Sequence, residues 1–422
     1  MKAQIALIAG LAAGFLASQP VSAEAPSAFG SGFDVQDFFK PFALEDITPA
    51  NQQKWPYYKY VSAHWDQYSL HGTDKVAASA NPAKLEQGEP LDLNTEFHDG
   101  QSFIQSLQAT QVKGFVVLKE DRILAEFYDN GFNVGDTNLL QSAAKTLAGV
   151  VTHQLIDQGL LDPNAKVETY LSDFAGTDIG AATVQQVLDM LSGLPTLLDL
   201  HTPGAPGQLW EVEIGLQPGK PTGHRTAIKS TKAIAKPGEV YNYTDKNTDT
   251  LGLLAEQVSG KKYPQLLSEL FDAFGANYEG SIALTSEGTT SPSYGISISA
   301  RDYALFHQWI AQGKAPKSFY ASAMDTSKTK FGENEIGKLL GDGVTYGSKT
   351  YYLKEHDVLY SSGSYGQLGY SDMQNGVSVA FLQDWAVNAE LDKFFATRDR
   401  ALAIIYHLRA KANPGFSGGR VF

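Results

Sequence analysis

The sequence has 422 residues, of which 43% are hydrophobic and 11% aromatic, and its formal net charge is -13. This composition excludes a disordered tail, a collagen-like fibre and a small stapled module, and the length allows one large domain or two interleaved domains. The acidic balance argues against a nucleic-acid partner, because phosphate recognition requires clustered cations. We therefore expect a small or neutral partner.

The beginning of the sequence predicts a secretory signal peptide. Lys2 precedes an apolar run over residues 5–17, and residues 21–23 (Val-Ser-Ala) are small side chains typical of a cleavage site. A membrane anchor is the alternative, but the apolar run is shorter than the roughly 20 residues that span a bilayer. We expect residues 1–23 to be removed, the protein to be exported to the periplasm or the extracellular space, and no membrane span to remain. The chain contains no cysteine, which excludes disulfides and cysteine nucleophiles.

The strand patterns lie toward the two ends of the sequence. Residues 24–100 have no sustained period, and we interpret them as an extended wrapping segment. The first clear pattern is a β-hairpin over residues 115–128, in which two half-buried strands flank a polar tip. Later in the chain the sequence predicts three further strands and a final helix, at residues 356–360, 366–370, 377–382 and 391–408.

The stretch between these strands is predicted to be mostly helical. The predicted helices lie at residues 142–158, 183–191, 245–258 and 264–274. Strands toward both ends with helices between them predict an α/β part plus an all-α part. We expect an antiparallel sheet built from residues 24–145 and 290–422, flanked by helices, with a mainly helical domain at residues 146–289 inserted. A site is expected in the crevice between the two parts.

The sharpest candidate for chemistry is Ser142-Ala143-Ala144-Lys145, at the start of a predicted helix. Residues three apart share a helix face, with Cβ atoms about 5–6 Å apart. A lysine can activate a serine hydroxyl if burial depresses its pKa, and the apolar neighbours favour burial. The helix N-terminus adds N–H groups that can stabilise developing negative charge. From the residues alone, an ordinary serine N-cap is an equally good interpretation.

A second candidate is Tyr243-Thr244-Asp245, which lies at the start of the helix predicted over residues 245–258. A tyrosine beside a lysine of depressed pKa can share its proton and relay that proton between the serine and the leaving group. A packed tyrosine followed by an aspartate N-cap is the alternative, and the residues alone do not separate the two.

These residues resemble serine hydrolases with the class C β-lactamase fold, which include penicillin-recognising peptidases, esterases and 6-aminohexanoate-dimer hydrolases. The resemblance covers most of residues 110–410. Ser142 to Lys145 look like the family's Ser-x-x-Lys, and residues 159–194 are similar to its G-L-L-D-…-L-L-x-x-x-S-G-L run. Tyr243 to Asp245 resemble its Tyr-x-Asn element. The resemblance implies that Ser142 is the acyl-accepting nucleophile, Lys145 its base partner and Tyr243 the general acid/base.

Residues 361–367 (Ser-Ser-Gly-Ser-Tyr-Gly-Gln) resemble the family's third element, normally a Lys-Thr-Gly or His-Thr-Gly strand followed by Gly-Gln. The resemblance implies that the N–H groups of Ser142 and Ser364 form an oxyanion hole. Without the other motifs, a Gly-Ser turn between two strands would be the preferred interpretation. We expect substrate contacts from six residues: Asp245, Ser361, Ser362, Gly363, Gln367 and Trp210.

Two positions depart from the family pattern. Asp245 replaces the usual asparagine, which argues against recognition of a β-lactam amide, and Ser361 stands where the family has a cation. The missing cation argues against substrates with a carboxylate beside the scissile bond. The departures therefore favour the amidase or esterase branch of the family.

A proline- and glycine-rich segment is a candidate lid over the cleft. Residues 195–221 contain five prolines and four glycines, and the length of the segment suggests a lid. Glu211 and Glu213 within it could pair with a substrate amine, which would suit the hydrolysis of amino-acid oligomers. From the residues alone, a plain surface loop is the favoured interpretation.

The sequence shows no metal or cofactor motif. Its nine histidines include no pair at i,i+4, and neither a G-x-G-x-x-G run nor a phosphate-binding loop occurs. We therefore expect no metal, no cofactor and no obligate protein partner. The prediction is an exported serine hydrolase that cleaves a small amide or ester through a Ser142 acyl-enzyme. The alternatives are a β-lactamase or DD-peptidase, and a non-catalytic ligand-binding or sensor module on the same fold.

Overall fold

A computed structural model describes residues 42–98, 100–197, 200, 202–327, 340, 343–387 and 390–413. The predicted signal peptide at residues 1–23 lies outside these ranges. Within them, no helix is long and apolar enough to cross a membrane.

Fourteen strands occur in the described ranges, numbered here in chain order. They are β1 (Thr73–Val76), β2 (Glu86–Gln87), β3 (Glu96–His98), β4 (Gln101–Ser102), β5 (Val112–Lys119), β6 (Arg122–Tyr128), β7 (Thr137–Leu139), β8 (Gly280–Ala283), β9 (Ile296–Ser299), β10 (Val344–Gly347), β11 (Thr350–Leu353), β12 (Val358–Gly363), β13 (Gln367–Asp372) and β14 (Val377–Gln383).

Thirteen α-helices occur in the same part of the chain. They are α1 (Tyr58–Val61), α2 (Trp65–Tyr68), α3 (Phe103–Ala109), α4 (Ala144–Asp157), α5 (Val167–Tyr170), α6 (Val184–Leu188), α7 (Pro206–Glu213), α8 (His224–Ser230), α9 (Asp245–Ser259), α10 (Tyr263–Phe274), α11 (Ala300–Ala311), α12 (Lys317–Ala323) and α13 (Leu391–Ala412).

The largest described sheet has eight strands in the order β10-β11-β12-β13-β14-β5-β6-β2. Strand β14 pairs antiparallel with β5, so that Phe381 lies opposite Phe115 and the two ends of the sequence meet within the sheet. Neighbouring strands run antiparallel apart from β2 and β6, which are parallel. The predicted antiparallel sheet built from both ends of the sequence is therefore confirmed, and the predicted hairpin is β5 and β6.

Both faces of strand β5 are buried. Side chains alternate between the faces of a strand, and here Val116 and Leu118 enter one apolar cluster while Phe115 and Val117 enter another. Helix α11 contributes to the first cluster and α13 to the second. The sheet is thus flanked by helices on both sides, which explains why β5 is apolar at consecutive positions.

A smaller sheet, in the order β1-β8-β9-β7, leads into the segment that contains Ser142. Strand β7 ends at Leu139 and is followed by a 3-10 turn, Gln141–Ala143, and then by α4. The helix predicted over residues 142–158 therefore begins as a tight turn. The other predicted helices are confirmed as α6, α9, α10 and α13, with α6 shorter than expected.

The segment predicted to be an extended wrapping region contains more regular structure than expected. It holds α1, α2 and β1 to β3, each only two to four residues long. Such short elements produce no visible period in a sequence, and β1 and β2 form because distant strands pair with them. Strand β1, for example, pairs with β8 and buries Val76. The division of the chain at residues 145/146 and 289/290 stays a prediction.

Candidate active site

Ser142 lies in the turn that links β7 to α4. The Leu140 N–H donates to the Ile296 carbonyl at 2.8 Å, which holds the start of the turn against β9. Gln141 then adopts a left-handed φ of 52°, and this redirects the chain from the strand into the helix. The turn places Ser142 directly before the N-terminus of α4.

Lys145 is 1% exposed, and its ammonium group is surrounded by oxygen atoms. Its Nζ donates to Ser142 Oγ at 2.9 Å and to the Ser293 carbonyl at 2.7 Å. Asp245 Oδ1 lies 2.7 Å from the same Nζ, in a buried ion pair. Burial lowers the pKa of Lys145, and the carboxylates of Asp245 and Asp249 act in the opposite direction.

Tyr243 completes the group of three predicted catalytic side chains. Its phenol is buried, and a hydrogen bond joins it to the Ser142 side chain. Burial and the Asp245 charge raise the pKa of Tyr243, while that hydrogen bond acts to lower it. The Lys145 Nζ also lies 4.9 Å from the centroid of the Tyr243 ring. The structure therefore brings Ser142, Lys145 and Tyr243 together around one hydroxyl group.

The Ser293 carbonyl is a site group that sequence reasoning missed. The backbone of Ser293 is held in place by Asp249, because the Ser293 N–H donates to Asp249 Oδ1 at 3.1 Å. His224 Nε2 lies 3.0 Å from the other oxygen of Asp249. A backbone carbonyl leaves no signature in a sequence. Asp249, however, is four residues after Asp245 and so shares its face of α9, a spacing that could have identified it.

The end of β12 lies directly against the turn that contains Ser142. A Cβ atom built on Gly363 would lie only 2.1 Å from the Leu140 carbonyl oxygen and 2.9 Å from the Ala143 nitrogen. The next residues, Ser364–Gly366, form a short turn in which Tyr365 has a left-handed φ of 62°. Ser364 is therefore close in space to Ser142, as the predicted oxyanion hole requires.

Ser361 takes part in a polar cluster with helix α11. Its Oγ lies 2.6 Å from the Tyr303 hydroxyl and 2.7 Å from His307 Nε2. Burial lowers the pKa of His307 to about 3, so that the imidazole is neutral. This strand position therefore carries no charge from Ser361 or His307. The hydroxyl of Ser361 is already occupied by protein contacts, and its role in substrate binding stays a prediction.

Gln367 and Ser362 are buried parts of the same strand pair. Gln367 Nε2 donates to the Gln383 carbonyl at 2.8 Å and to the Tyr365 carbonyl at 3.1 Å. Its side chain therefore braces the turn that carries Ser364. Ser362 is opposite Leu368 in the ladder between β12 and β13. Substrate contacts by these two residues stay predictions.

The proline- and glycine-rich segment is not a plain surface loop, so that interpretation was wrong. Residues 206–213 form α7, and the segment buries several apolar side chains: Leu197, Trp210, Ile214 and Leu216. The Trp210 ring stacks on His224 with centroids 5.3 Å apart, and Lys246 Nζ lies 5.0 Å from the ring centroid. These contacts place Trp210 in the packing between α7, α8 and α9. Proline at the first position of α7 is suited to starting a helix inside such a segment.

The two glutamates of α7 have different surroundings. The Glu213 carboxylate is engaged by protein groups, accepting from the Thr222 and Ser286 hydroxyls at 2.7 and 2.6 Å. Although burial acts to raise the pKa of Glu213, these hydrogen bonds hold it below its usual value. Glu211 accepts one side-chain hydrogen bond from Gln217, and burial raises its pKa to about 8. The Asp245 charge also acts to raise this pKa, so the two carboxyl groups interact electrostatically.

The described residues contain no cluster of three His, Asp or Glu side chains arranged to hold a metal ion. Around Ser142, one hydroxyl contacts an amine and a phenol, both buried. These groups can carry out nucleophilic and acid–base chemistry.

A model of the Beta-lactamase family matches residues 139–403, more than half of the chain. The chain belongs to the Beta-lactamase family. The match begins at the end of β7 and reaches into α13, so it includes the Ser142, Tyr243 and Ser364 segments.

Among the relatives of this Beta-lactamase family member is a curated 6-aminohexanoate-dimer hydrolase of Paenarthrobacter ureafaciens. It is 31% identical over 213 residues, which are 50% of this chain and 54% of that protein. The similarity therefore spans about half the length of the curated relative.

Solved structures share the fold of this Beta-lactamase family member. One is described as a "putative 6-aminohexanoate-dimer hydrolase from Bacillus anthracis", with a TM-score of 0.78, 20% identity, and coverage of 87% of this chain and 99% of that one. A D-stereospecific amidohydrolase from Streptomyces sp. has a TM-score of 0.52 and 18% identity, with 68% and 94% covered. The β-lactamase-like fold is confirmed, and the family and its relatives support the prediction of a serine hydrolase of amidase, esterase or β-lactamase type.

Proposed function

We propose that this protein hydrolyses a small amide or ester through an acyl-enzyme on Ser142. The observation that carries the proposal is the contact of one hydroxyl with two proton-transfer groups. Lys145 Nζ lies 2.9 Å from Ser142 Oγ, and the Tyr243 phenol shares a hydrogen bond with the same side chain. A hydroxyl held in this way can lose its proton as it attacks a carbonyl carbon.

The proposed reaction has two symmetrical halves. Ser142 Oγ forms a bond to the carbonyl carbon while its proton passes to Lys145 or Tyr243, and the N–H groups of Ser142 and Ser364 hold the oxyanion. The tetrahedral intermediate collapses, and the leaving amine or alcohol takes the stored proton as its bond to carbon breaks. Water then attacks the acyl-enzyme in the same manner, which releases a carboxylic acid and returns the proton to Ser142 Oγ.

The cleft favours a substrate without a carboxylate beside the scissile bond. Ser361 supplies no cation at the strand position where family members bind such a group, and His307 beside it is neutral. Glu211 has a titratable carboxyl group whose pKa is raised to about 8, in part by the Asp245 charge. A small amide bearing an amine, such as the 6-aminohexanoate dimer on which the curated relative is named to act, fits these two features.

Ser142→Ala tests the proposal. We expect turnover of nitrophenyl esters and 6-aminohexanoate oligomers to fall by about 10⁴-fold or more, with an unchanged circular dichroism spectrum. Ser259→Ala is the matched control, because Ser259 to Lys262 repeat the Ser-x-x-Lys spacing outside the site. Full activity in the Ser142→Ala protein would rule the mechanism out.

Two other functions are separated by simple assays. Rapid turnover of nitrocefin would favour a β-lactamase or DD-peptidase. A fluorophosphonate that gives a single adduct on Ser142, detected by mass spectrometry, supports the enzyme. Tight reversible ligand binding without an adduct would instead indicate a sensor or binding module.

Export belongs to the same proposal. The pattern over residues 1–23 is the support for a periplasmic or extracellular location. The N-terminal sequence of protein recovered from an expressing bacterium tests it, and we expect the first residue to be Glu24. An uncleaved cytoplasmic product would contradict this part of the proposal.

A further inference from the structure

The lysine that is proposed to activate Ser142 is paired with a carboxylate that lies almost fully out of water. The Asp245 side chain is 6% exposed, and its Oδ1 lies 2.7 Å from Lys145 Nζ. Oppositely charged groups at this distance favour each other's charged forms, and exclusion of water strengthens the effect. An asparagine at this position would supply no charge.

Two carboxylates on one face of helix α9 hold Lys145, one directly and one through the Ser293 carbonyl. Asp245 contacts Nζ directly, whereas Asp249, one helical turn later, fixes the Ser293 carbonyl that accepts from the same Nζ. Both arrangements leave the amine aimed at Ser142 Oγ, 2.9 Å away. The carboxylate of Asp245 thus has the geometry of a group that orients a base and stabilises its protonated form.

We propose that Asp245 is the positioning residue of the catalytic lysine, and that its carboxylate aligns Lys145 and stabilises the ammonium formed when Nζ takes the Ser142 proton. This inference rests on the proposed function of the site. In the step concerned, the Ser142 O–H bond breaks, a new N–H bond forms on Nζ, and the Oγ electron pair attacks the substrate carbonyl. Burial raises the pKa of Asp245 while the Lys145 charge acts to lower it, and the Asp245 carboxylate exchanges no proton in this step.

The charge of Asp245 should influence the pH dependence of catalysis. A negative charge beside Lys145 makes Nζ a stronger base but delays its deprotonation to higher pH. The same charge raises the pKa of Tyr243, so the direction is the same whichever group takes the proton first. Other titratable groups also interact electrostatically with Asp245: Asp249, Lys349, Glu211, Tyr294 and Tyr346.

The test is the pH profile of Asp245→Asn with nitrophenyl acetate. We expect the acidic limb of kcat/KM to move to lower pH by about one to three units. We also expect kcat on the plateau to fall about tenfold or more, because a weaker base receives the proton. Asp245→Glu, which keeps the charge, should leave the acidic limb near its original position while lowering kcat.

A control variant separates this effect from a general loss of stability. Asp372→Asn removes another buried ion pair, in which Arg409 Nε lies 3.0 Å from Asp372 Oδ1 at the far end of β13. We expect this variant to lower the unfolding midpoint without moving the acidic limb.

Three outcomes would overturn the inference. In Asp245→Asn, the acidic limb of the pH profile could stay in place or move to higher pH, and either result contradicts the proposed role. The third outcome is a rise in KM confined to amine-bearing substrates, which would make Asp245 a substrate-binding group. If Asp245→Asn does not fold, Asp245→Glu still tests the role of the charge. A displaced pH profile in that variant, which keeps the charge, contradicts the inference.

The fluorophosphonate adduct on Ser142 distinguishes failure of the proposed function from failure of this inference. If the wild-type protein forms no adduct, the proposed function fails, whereas an adduct with an unmoved limb defeats the inference alone.

Discussion

The ring of Tyr58 stacks on the ring of Tyr365, with centroids 3.6 Å apart and an interplanar angle of 24°. The Tyr58 hydroxyl also accepts a hydrogen bond from Gln141 Nε2 at 3.0 Å. Gln141 directly precedes Ser142, and Tyr365 directly follows Ser364. Helix α1, from the amino-terminal segment, thus ties together the two turns that carry the proposed oxyanion N–H groups.

Removal of the Tyr58 ring should weaken catalysis more than binding. Both turns contain a non-glycine residue of left-handed φ, a conformation that costs about 1–2 kcal/mol and requires support from its surroundings. We expect Tyr58→Ala to lower kcat for nitrophenyl acetate by about 10- to 100-fold with a small change in KM. Tyr58→Phe keeps the stacking and should lose far less. If Tyr58→Ala retains the wild-type kcat, the two turns keep their conformation without the Tyr58 ring, which would contradict the prediction.

Gly363 is predicted to tolerate no side chain. A methyl group there meets the Leu140 carbonyl oxygen at 2.1 Å, and a backbone atom cannot swing aside. We expect Gly363→Ala to cost about 1–3 kcal/mol in the free energy of unfolding and to lower kcat about tenfold or more, because the two turns must separate. Gly343→Ala is the control, since its new methyl would meet Glu355 at an ordinary 3.8 Å. Equal effects of the two variants on kcat would argue against this explanation.

The raised pKa of Glu211 predicts that KM depends on pH for amine-bearing substrates and not for uncharged ones. Its pKa is raised to about 8, so the carboxyl is neutral below that pH and negative above it. The attraction for a substrate ammonium group therefore grows as the pH rises through about 8. We expect KM for 6-aminohexanoate dimer to fall over this range, while KM for an uncharged ester stays level. In Glu211→Gln the difference should disappear, and a persisting fall would assign the titration to another group.

The buried pair of Lys113 and Asp384 predicts a non-additive effect on stability. Lys113 Nζ lies 2.7 Å from Asp384 Oδ1, and both side chains are almost fully buried between β5 and the end of β14. Lys113→Met leaves a carboxylate in the interior without its partner, which should cost about 3–5 kcal/mol. The double variant Lys113→Met/Asp384→Leu should recover most of this loss in urea unfolding. A double variant as unstable as the sum of the two single ones would contradict the prediction.

The sequence predicts the parts of this fold that have a long periodic signal. The β5–β6 hairpin, the strands β12 to β14 and the helices α4, α9, α10 and α13 all lie close to their predicted positions. The short elements before residue 100 could not be predicted, because two to four residues contain no full period. Helix α7 was missed because the surrounding prolines and glycines indicate a loop, although Trp210 and its apolar neighbours bury the segment.

At the site, the sequence predicts residues that carry a motif and misses groups defined by packing. Ser142, Lys145 and Tyr243 have the expected spacing and meet in the structure. Tyr58 has no motif, because its importance comes from a stacking partner about three hundred residues away. The Ser293 carbonyl has none either, since every residue has a carbonyl group.

The position of β14 between β13 and β5 also affects how this protein emerges from the ribosome. Strands β5 and β6 of the large sheet are synthesised some 250 residues before β14, the neighbour of β5, arrives. Until then β5 presents an unpaired edge with apolar side chains on both faces, which other nascent chains can join. Correct assembly therefore depends on shielding this edge during translation, and a product truncated before Val377 should aggregate rather than persist as an inactive soluble fragment.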